Sequence, residues 1–331
     1  MPARHLPAIL ALSTLIAAPA FGADRPQLTV YAPSYFASDW GPGPAIKTAF
    51  EKDCECELVY VTGDVLPRIL LEGDAHKADV VMGLTIDQTA QARASGLFAP
   101  HGQDLDALTL PIAWTDDIFL PFDWSEMAFV YDETRLPEPP ASFAALLDAP
   151  EDLKVIIQDP RASASGLGLM LWVEAVFGEG AEDAWRRLAP HVLTVTRGWS
   201  EAYGLFTDGE ADMVLSFTTS PAYHIIAEGD LTKHAAIWPE GHYLYTESAA
   251  RTANAPQPDL ADRFMAFILS PDFQRLMPEG NWSYPSALPE DQLPEGLRDL
   301  PRPQKTLFFT EPEAEALRAP ALDRFMRAFA G

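Results

Sequence analysis

Basic residues and cysteines are scarce in this 331-residue sequence. Lysine and arginine together number 23 against 48 aspartates and glutamates, for a formal net charge of −25. So large an acidic excess repels phosphate backbones and excludes general nucleic-acid binding. It suits a cationic ligand without naming one. Two cysteines cannot build a disulfide-stapled scaffold or a structural zinc site. Catalytic signatures are also missing: there is no G-x-S-x-G, no H-E-x-x-H and no Walker loop. Gly166–Gly168 (GLG) is too short for a dinucleotide fingerprint, and the histidines show no metal-ligand spacing, so neither a cofactor nor a metal is expected. No apolar run reaches the roughly 20 residues that span a bilayer.

What remains is a globular composition, 48% hydrophobic, with length for about two domains. Residues 1–22 read as an export signal. Arg4 and His5 precede a short apolar run, Leu6 to Ala18, and small residues around 20–23 offer a cleavage site. No cysteine follows for a lipid anchor, so the expected mature chain is a soluble exported protein. Export places Cys54 and Cys56 in an oxidising compartment. Their C-x-C spacing admits either a tight bridge or two thiols.

The chain then alternates strand and helix patterns. Strands are expected at 28–31, 57–61 and 78–83, with helices at 44–52, 64–71 and 86–94 between and after them. This order predicts an α/β sheet with helices on its faces. Residues 118–131 (IFLPFDWSEMAFVY) break the rhythm and read as a strand crossing into a second α/β series. That series places helices near 142–148, 167–177, 181–188, 201–206 and 222–228, and strands at 154–157, 192–195 and 213–217. Strand-like 235–238 and 243–249 carry the chain back, helices follow at 259–269 and 272–277, and the Pro-rich 286–304 is expected to wrap the surface. The expected division is a first lobe over 24–121, a second over 122–242, and a return to the first, with C-terminal helices, over 243–331. Two lobes with more than one crossing make a hinge, whose cleft is a natural ligand site.

Two features point into such a cleft. The segment 159–168 (DPRASASGLG) puts small residues before an apolar helix predicted to begin at Leu167. Free N–H groups there, with Ser163 and Ser165, suit an anion or polar group as well as they suit an ordinary cap. The aromatics carry more. Trp40, Trp199, Tyr223 and Trp282 each stand beside Gly, Pro, Ser or Asn rather than within a periodic element. One such ring is readily a core residue; four, spread over both lobes, favour a ligand cage. Ring faces attract a cation by about 0.5–2 kcal/mol per contact and stack on flat heterocycles by about 0.5–1.5 kcal/mol per pair.

The motifs then resemble those of the periplasmic thiamine-binding proteins that serve ABC importers. They are 36–44 (FASDWGPGP), 54–58 (CECEL), 78–84 (ADVVMGL), 158–161 (QDPR) with 166–168 (GLG), 198–206 (GWSEAYGLF), 218–224 (TTSPAYH) and 280–282 (GNW). The resemblance implies a two-lobed periplasmic solute-binding fold, type II-like, closing on thiamine and its mono- and diphosphate. By matching positions, Trp40, Trp199, Tyr223 and Trp282 would line the site. Ser163, Ala164, Ser165 and Gly166 would take polar or phosphate groups. Phe217 stands where the family can carry a tyrosine. Pro33 replaces an expected stacking tyrosine, which leaves Tyr35 as a candidate in its place. The implied partner is an inner-membrane ABC permease, the implied state a monomer, and no bond is made or broken. The alternatives are a polyamine or ferric binder of the same fold, or a secreted thiamine-processing enzyme. No Tyr-Tyr pair supports iron, and a polyamine has no ring to stack.

Overall fold

The computed structural model describes residues 25–329; the expected export signal lies outside them. The first half runs β1 (Gln27–Ala32), α1 (Gly43–Cys54), β2 (Glu57–Thr62), α2 (Val65–Glu72), β3 (Val80–Leu84), α3 (Ile86–Ala94) and the short β4 (Phe98–Ala99). A 13-residue strand, β5 (Leu120–Asp132), leads on to α4 (Phe143–Leu147), β6 (Val155–Gln158), α5 (Ala164–Phe177) and α6 (Ala181–Leu188). Then come β7 (Val192–Thr196), α7 (Trp199–Thr207), β8 (Met213–Phe217), the single turn α8 (Pro221–Tyr223) and β9 (Lys233–Ala235). The chain returns through β10 (His242–Thr252) to α9 (Pro258–Ile268), α10 (Pro271–Gln274) and α11 (Met277–Gly280). It ends with β11 (Tyr284–Pro285), α12 (Glu295–Arg298), β12 (Thr306–Leu307) and α13 (Glu311–Phe329).

The sheet order is β2-β1-β3-β10-β5-β8-β6-β7. β1 is parallel to β2 and β3, and β6 is parallel to β7 and β8. The inner strands, buried on both faces, are nearly all apolar, as Val80, Val81 and Met82 of β3 illustrate, whereas the edge strands β2 and β7 are partly exposed. Between the two parallel groups lie β5 and β10, antiparallel to each other. β5 changes partner along its length: Leu120–Glu126 pairs with β10 and Met127–Tyr131 with β8. One strand therefore belongs to both halves of an α/β fold, and β10 makes the second crossing. His242 ties the crossings together, donating from Nδ1 to the Met127 carbonyl at 2.7 Å and accepting from the Trp238 amide at Nε2, 2.8 Å away.

Cores lie on both sheet faces of each half. Phe50 and Phe264 meet edge to face at 5.0 Å under α1 and α9, while Val65, Ile69 and Ala92 close the opposite face. In the second half Trp172 stacks on Trp238 at 5.4 Å. Helix α13 touches both halves. Arg93 of α3 pairs with Glu311 at 3.0 Å, and Arg324 pairs with the buried Glu174 of α5 at 2.6 Å. Cys54 and Cys56 are joined in a disulfide with Cα atoms 5.1 Å apart.

Three local expectations change. Helix α5 begins at Ala164, not Leu167, so the Ser/Gly segment forms the first helical turn rather than a loop before it. Tertiary packing overrides the weak helix propensity there, because Gly166 lies flush against the Gln158–Pro160 backbone. The expected helix at 272–277 is divided between α10 and α11, and Pro278 stands at the start of the second piece. Residues 286–304 do more than wrap the surface: Leu288, Leu293, Leu297 and Leu300 are buried against Trp124 and Tyr284.

Glu126, beside this cluster, gives a pH test of stability. It is buried and accepts from the Thr306 hydroxyl at 2.7 Å, and burial pushes its carboxyl from 4.5 up to about 7. The folded state thus holds a proton that the unfolded chain has lost above its ordinary value. The contribution of Glu126 to stability is full below about pH 4.5 and is lost as pH rises towards and through about 7, by roughly 3 kcal/mol. Glu126→Gln is expected to flatten this slope and raise unfolding free energy at pH 8 by about 1–3 kcal/mol. Denaturant melts at pH 5 and pH 8 read it directly. Parallel pH slopes for the two proteins would refute the assignment.

Candidate functional site

Ligands of open α/β folds collect outside the carboxyl ends of parallel strands. In the second half that rule selects three connections. β6 ends at Gln158 and leads to the start of α5; β7 ends at Thr196 and leads to Trp199; β8 ends at Phe217 and leads to Tyr223. In the first half β1 ends at Ala32 and leads through Tyr35 to Trp40. Nine of the sequence-selected candidates therefore sit at strand ends, and the tenth, Trp282, sits on the turn between α11 and β11.

The rings form a connected series. Trp199 opens α7, and its Nε1 donates to Ser216 Oγ at 2.7 Å. One turn later Tyr203 stacks beneath it, with centroids 4.8 Å apart and planes at 24°. Tyr203 stacks in turn on His224 at 5.8 Å, and its hydroxyl bonds His224 Nε2 at 2.9 Å. Next in sequence, Tyr223 meets Trp282 edge to face at 5.3 Å. This contact joins α8, in the second half, to a turn anchored on the first-half stretch of β5 through β11. Phe217 is half-buried against Tyr245 of β10 at 4.9 Å.

Trp282 has φ +52°, a left-handed conformation that a bulky residue rarely adopts. The preceding Asn281 holds it there. Its amide donates to Asp123 Oδ2 at 2.5 Å and to Glu247 Oε2 at 2.9 Å. Ser283, on the other side, donates to Asp123 Oδ2 at 2.6 Å. Tyr35 donates its hydroxyl to Glu247 Oε1. Burial and mutual repulsion hold the Asp123 carboxyl well above its usual range, and burial raises Glu247. Burial and the nearby Glu247 charge push the Tyr35 phenol well up as well.

Trp40 differs from the other rings. It is 61% exposed, and no ring contact joins it to the series among the described residues. Its loop is nonetheless seated against the Trp282 turn: a Cβ on Gly280 would lie 2.8 Å from Pro42 Cβ. Gly41 is required at the neighbouring turn, where a Cβ would lie 2.2 Å from the Tyr35 carbonyl oxygen.

At the start of α5, Ser163 is an extended N-cap whose side chain bonds Ser165 Oγ at 2.8 Å instead of capping the helix. Ser165 donates onward to Gln158 Oε1 at 2.8 Å. The Ala164, Ser165 and Gly166 amides lack intrahelical acceptors, as in any first turn, and present positive partial charge. Elsewhere, His224, Glu228 and Asp230 bring possible metal-ligating atoms within 4.8 Å of one another. Both His224 nitrogens are engaged by Tyr203 and Glu228, and Asp230 holds Thr232 and Lys233.

Sequence reasoning did not select Tyr203, Ser216, Asp123, Glu247 or Asn281. For Asp123 a signal existed: an acid within the apolar run of a buried strand needs a local reason.

Known proteins give the same frame. The sequence matches the family described as bacterial extracellular solute-binding protein over residues 45–301. A thiamine-binding periplasmic protein of Escherichia coli (strain K12) is 48% identical over 323 residues, covering 96% of this chain and 98% of that one. A protein of the same name from Brucella abortus biovar 1 is 46% identical over 288 residues, 86% of each chain. Among solved structures, a periplasmic thiamin binding protein superposes with TM-score 0.88 at 49% identity, covering 92% of this chain and 96% of that one. Iron-bound HitA from Pseudomonas aeruginosa shares the fold, with TM-score 0.74 at 20% identity over 92% and 99% of the two chains. With that match over most of its length, and with two α/β halves crossed by β5 and β10, this chain belongs to the bacterial extracellular solute-binding proteins.

Proposed function

We propose that this chain captures thiamine between its two halves and delivers it to an ABC permease in the inner membrane. The observation that carries the reading is the ring series from Trp199 through Tyr203, His224 and Tyr223 to Trp282, which links the halves across the cleft. Thiamine offers a flat aminopyrimidine and a permanently charged thiazolium, so stacking and cation–π attraction act together. The relatives at 46–48% identity carry the thiamine name, whereas the ferric-binding neighbours share only the fold at 20% identity or less. Iron and polyamine readings are therefore not favoured.

The finer parts of the reading follow from the same residues. Mono- and diphosphate tails meet the amides of Ala164, Ser165 and Gly166, which lets an acidic protein accept an anionic group. The binder acts as a monomer in the periplasm after the signal is removed near residues 20–23. Binding is differential: the closed arrangement makes ring contacts from both halves that an open one lacks. No bond in the ligand changes.

Titrating the purified protein with thiamine is expected to quench tryptophan fluorescence saturably at one site. Mass spectrometry of the ligand afterwards is expected to show thiamine unaltered. A protein that shows neither quenching nor a retained ligand mass is not a thiamine binder, and a changed ligand mass makes it an enzyme.

A further inference from the structure

The ring series explains attraction to a flat cation but leaves the two acids beside it without a role. Asp123 on β5 and Glu247 on β10 stand directly opposite each other, 1% and 5% exposed. Buried carboxylates ordinarily have a cation for a partner. Among the described residues, no lysine, arginine or histidine bonds either one. Their side-chain donors are all neutral: Asn281 reaches both acids, Ser283 reaches Asp123, and Tyr35 reaches Glu247.

Burial and the neighbouring acidic groups oppose a second negative charge, while the hydrogen bonds from Asn281, Ser283 and Tyr35 partly offset that opposition. Tyr35 approaches from the segment after β1, and Tyr245 lies two positions along β10, its phenol held well up by burial and by the two acids. Asp87 of α3, farther out, adds to the same negative field at Tyr245. The end of β3 brings only Gly83, where a Cβ would lie 3.8 Å from Glu247 Oε1. The 281–283 turn supplies an amide and a hydroxyl. Two buried carboxyls placed opposite each other and bridged by one amide resist ionising together, so their titrations are linked.

The same bonds tie the pair to the ligand site. Asn281 precedes Trp282, and Tyr35 belongs to the loop that carries Trp40. We propose that Asp123 and Glu247 are the counter-charge of the site: they share one proton while the cleft is empty and release it when a permanently cationic ligand is enclosed. The proton passes to solvent, an O–H bond of the pair is broken, and the ligand's fixed positive charge takes its place. The pair acts on the ligand by charge through space, and through Asn281 and Tyr35 it also holds the segments that carry Trp282 and Trp40. The inference rests on the thiamine reading.

Linkage sets the sign. A cation lowers the pair's proton affinity, so binding releases protons and affinity rises with pH, by up to about tenfold per unit where release is complete. Calorimetric titration with thiamine chloride, in buffers of different ionisation enthalpy at about pH 7, counts the protons. The expected result is release of about half to one proton per thiamine bound, together with tighter binding at about pH 8 than at about pH 6. Asp123→Asn keeps the shape and removes one acid; it should abolish the buffer dependence and flatten the pH profile. Glu247→Gln is the second variant, should the first not fold. Thiamine bound with the same heat in every buffer and the same affinity across this range overturns the proposal and leaves the thiamine reading intact. Undiminished proton release in both variants overturns it too. No binding in any buffer removes the thiamine reading itself.

Discussion

Gly166→Ala is expected to destabilise the protein by about 1–3 kcal/mol, the range of overpacking at a close contact. A Cβ there would lie 2.6 Å from the Gln158 carbonyl oxygen, 2.7 Å from the Asp159 carbonyl carbon and 2.8 Å from the Pro160 nitrogen. All three are backbone atoms of one segment, so no side chain can swing aside. The strain is relieved only by moving the first turn of α5 away from the end of β6. That shift displaces the amides proposed to receive phosphate, so thiamine diphosphate should lose more affinity than thiamine. Thermal melts and paired titrations with the two ligands measure both effects, with a melting temperature lower by roughly 3–10 °C. Gly168→Ala is the control. Its Cβ would meet only the Met127 side chain, at 2.7 Å from Sδ, and a flexible thioether can yield. Equal losses at 166 and 168 would show that the backbone contact is not what matters.

Trp199→Ala is expected to weaken thiamine binding at least tenfold, about 1.4 kcal/mol, with the fold retained. The indole presents one face to Tyr203 and fastens its nitrogen to Ser216, whose hydroxyl also contacts Ser220 at 2.7 Å. That fastening fixes the ring plane, and a fixed ring loses little entropy on binding. Alanine removes the ring face as well as the bond. Phenylalanine keeps a face and loses the bond, so Trp199→Phe should fall between the two. Circular dichroism confirms folding, and calorimetry gives the affinities. Unchanged affinity in the alanine variant would remove Trp199 from the site.

Much of the fold was legible in the sequence because several strands, such as β3 and β8, are short apolar runs close to turn residues. β8 (Met213–Phe217) and α3 (Ile86–Ala94) fall where the pattern placed them. The placement of Trp199 was legible for a related reason: flanked by Gly and Ser, it stands where α7 begins, while Trp40 and Trp282 lie in the connections between elements. The start of α5 was not legible, because Ser and Gly read as loop until the packing of Gly166 on the preceding segment is seen. The Asp123–Glu247 pair was hidden more deeply. The two residues lie far apart in sequence, and only the register of β5 on β10 puts them opposite each other. Tyr203 lies inside the 198–206 motif, yet its place under Trp199 emerges only when the motif is wound as a helix.

Helix α13 sets the terms on which the two halves can separate. It grips the second half through Phe325, which meets Trp185 edge to face at 5.1 Å, and through Arg324 on Glu174. Its hold on the first half includes the half-exposed Arg93–Glu311 pair and a bond from Arg318 to the Asp87 carbonyl. Pro320 lies between these two sets of anchors and interrupts the helical hydrogen bonding there. A parting movement therefore strains the solvent-facing anchors first. An exposed pair of this kind is worth about 0.2–1 kcal/mol and weakens with salt. The helix thus works as a soft tether with a built-in flexure, and ionic strength adjusts how tightly it is drawn.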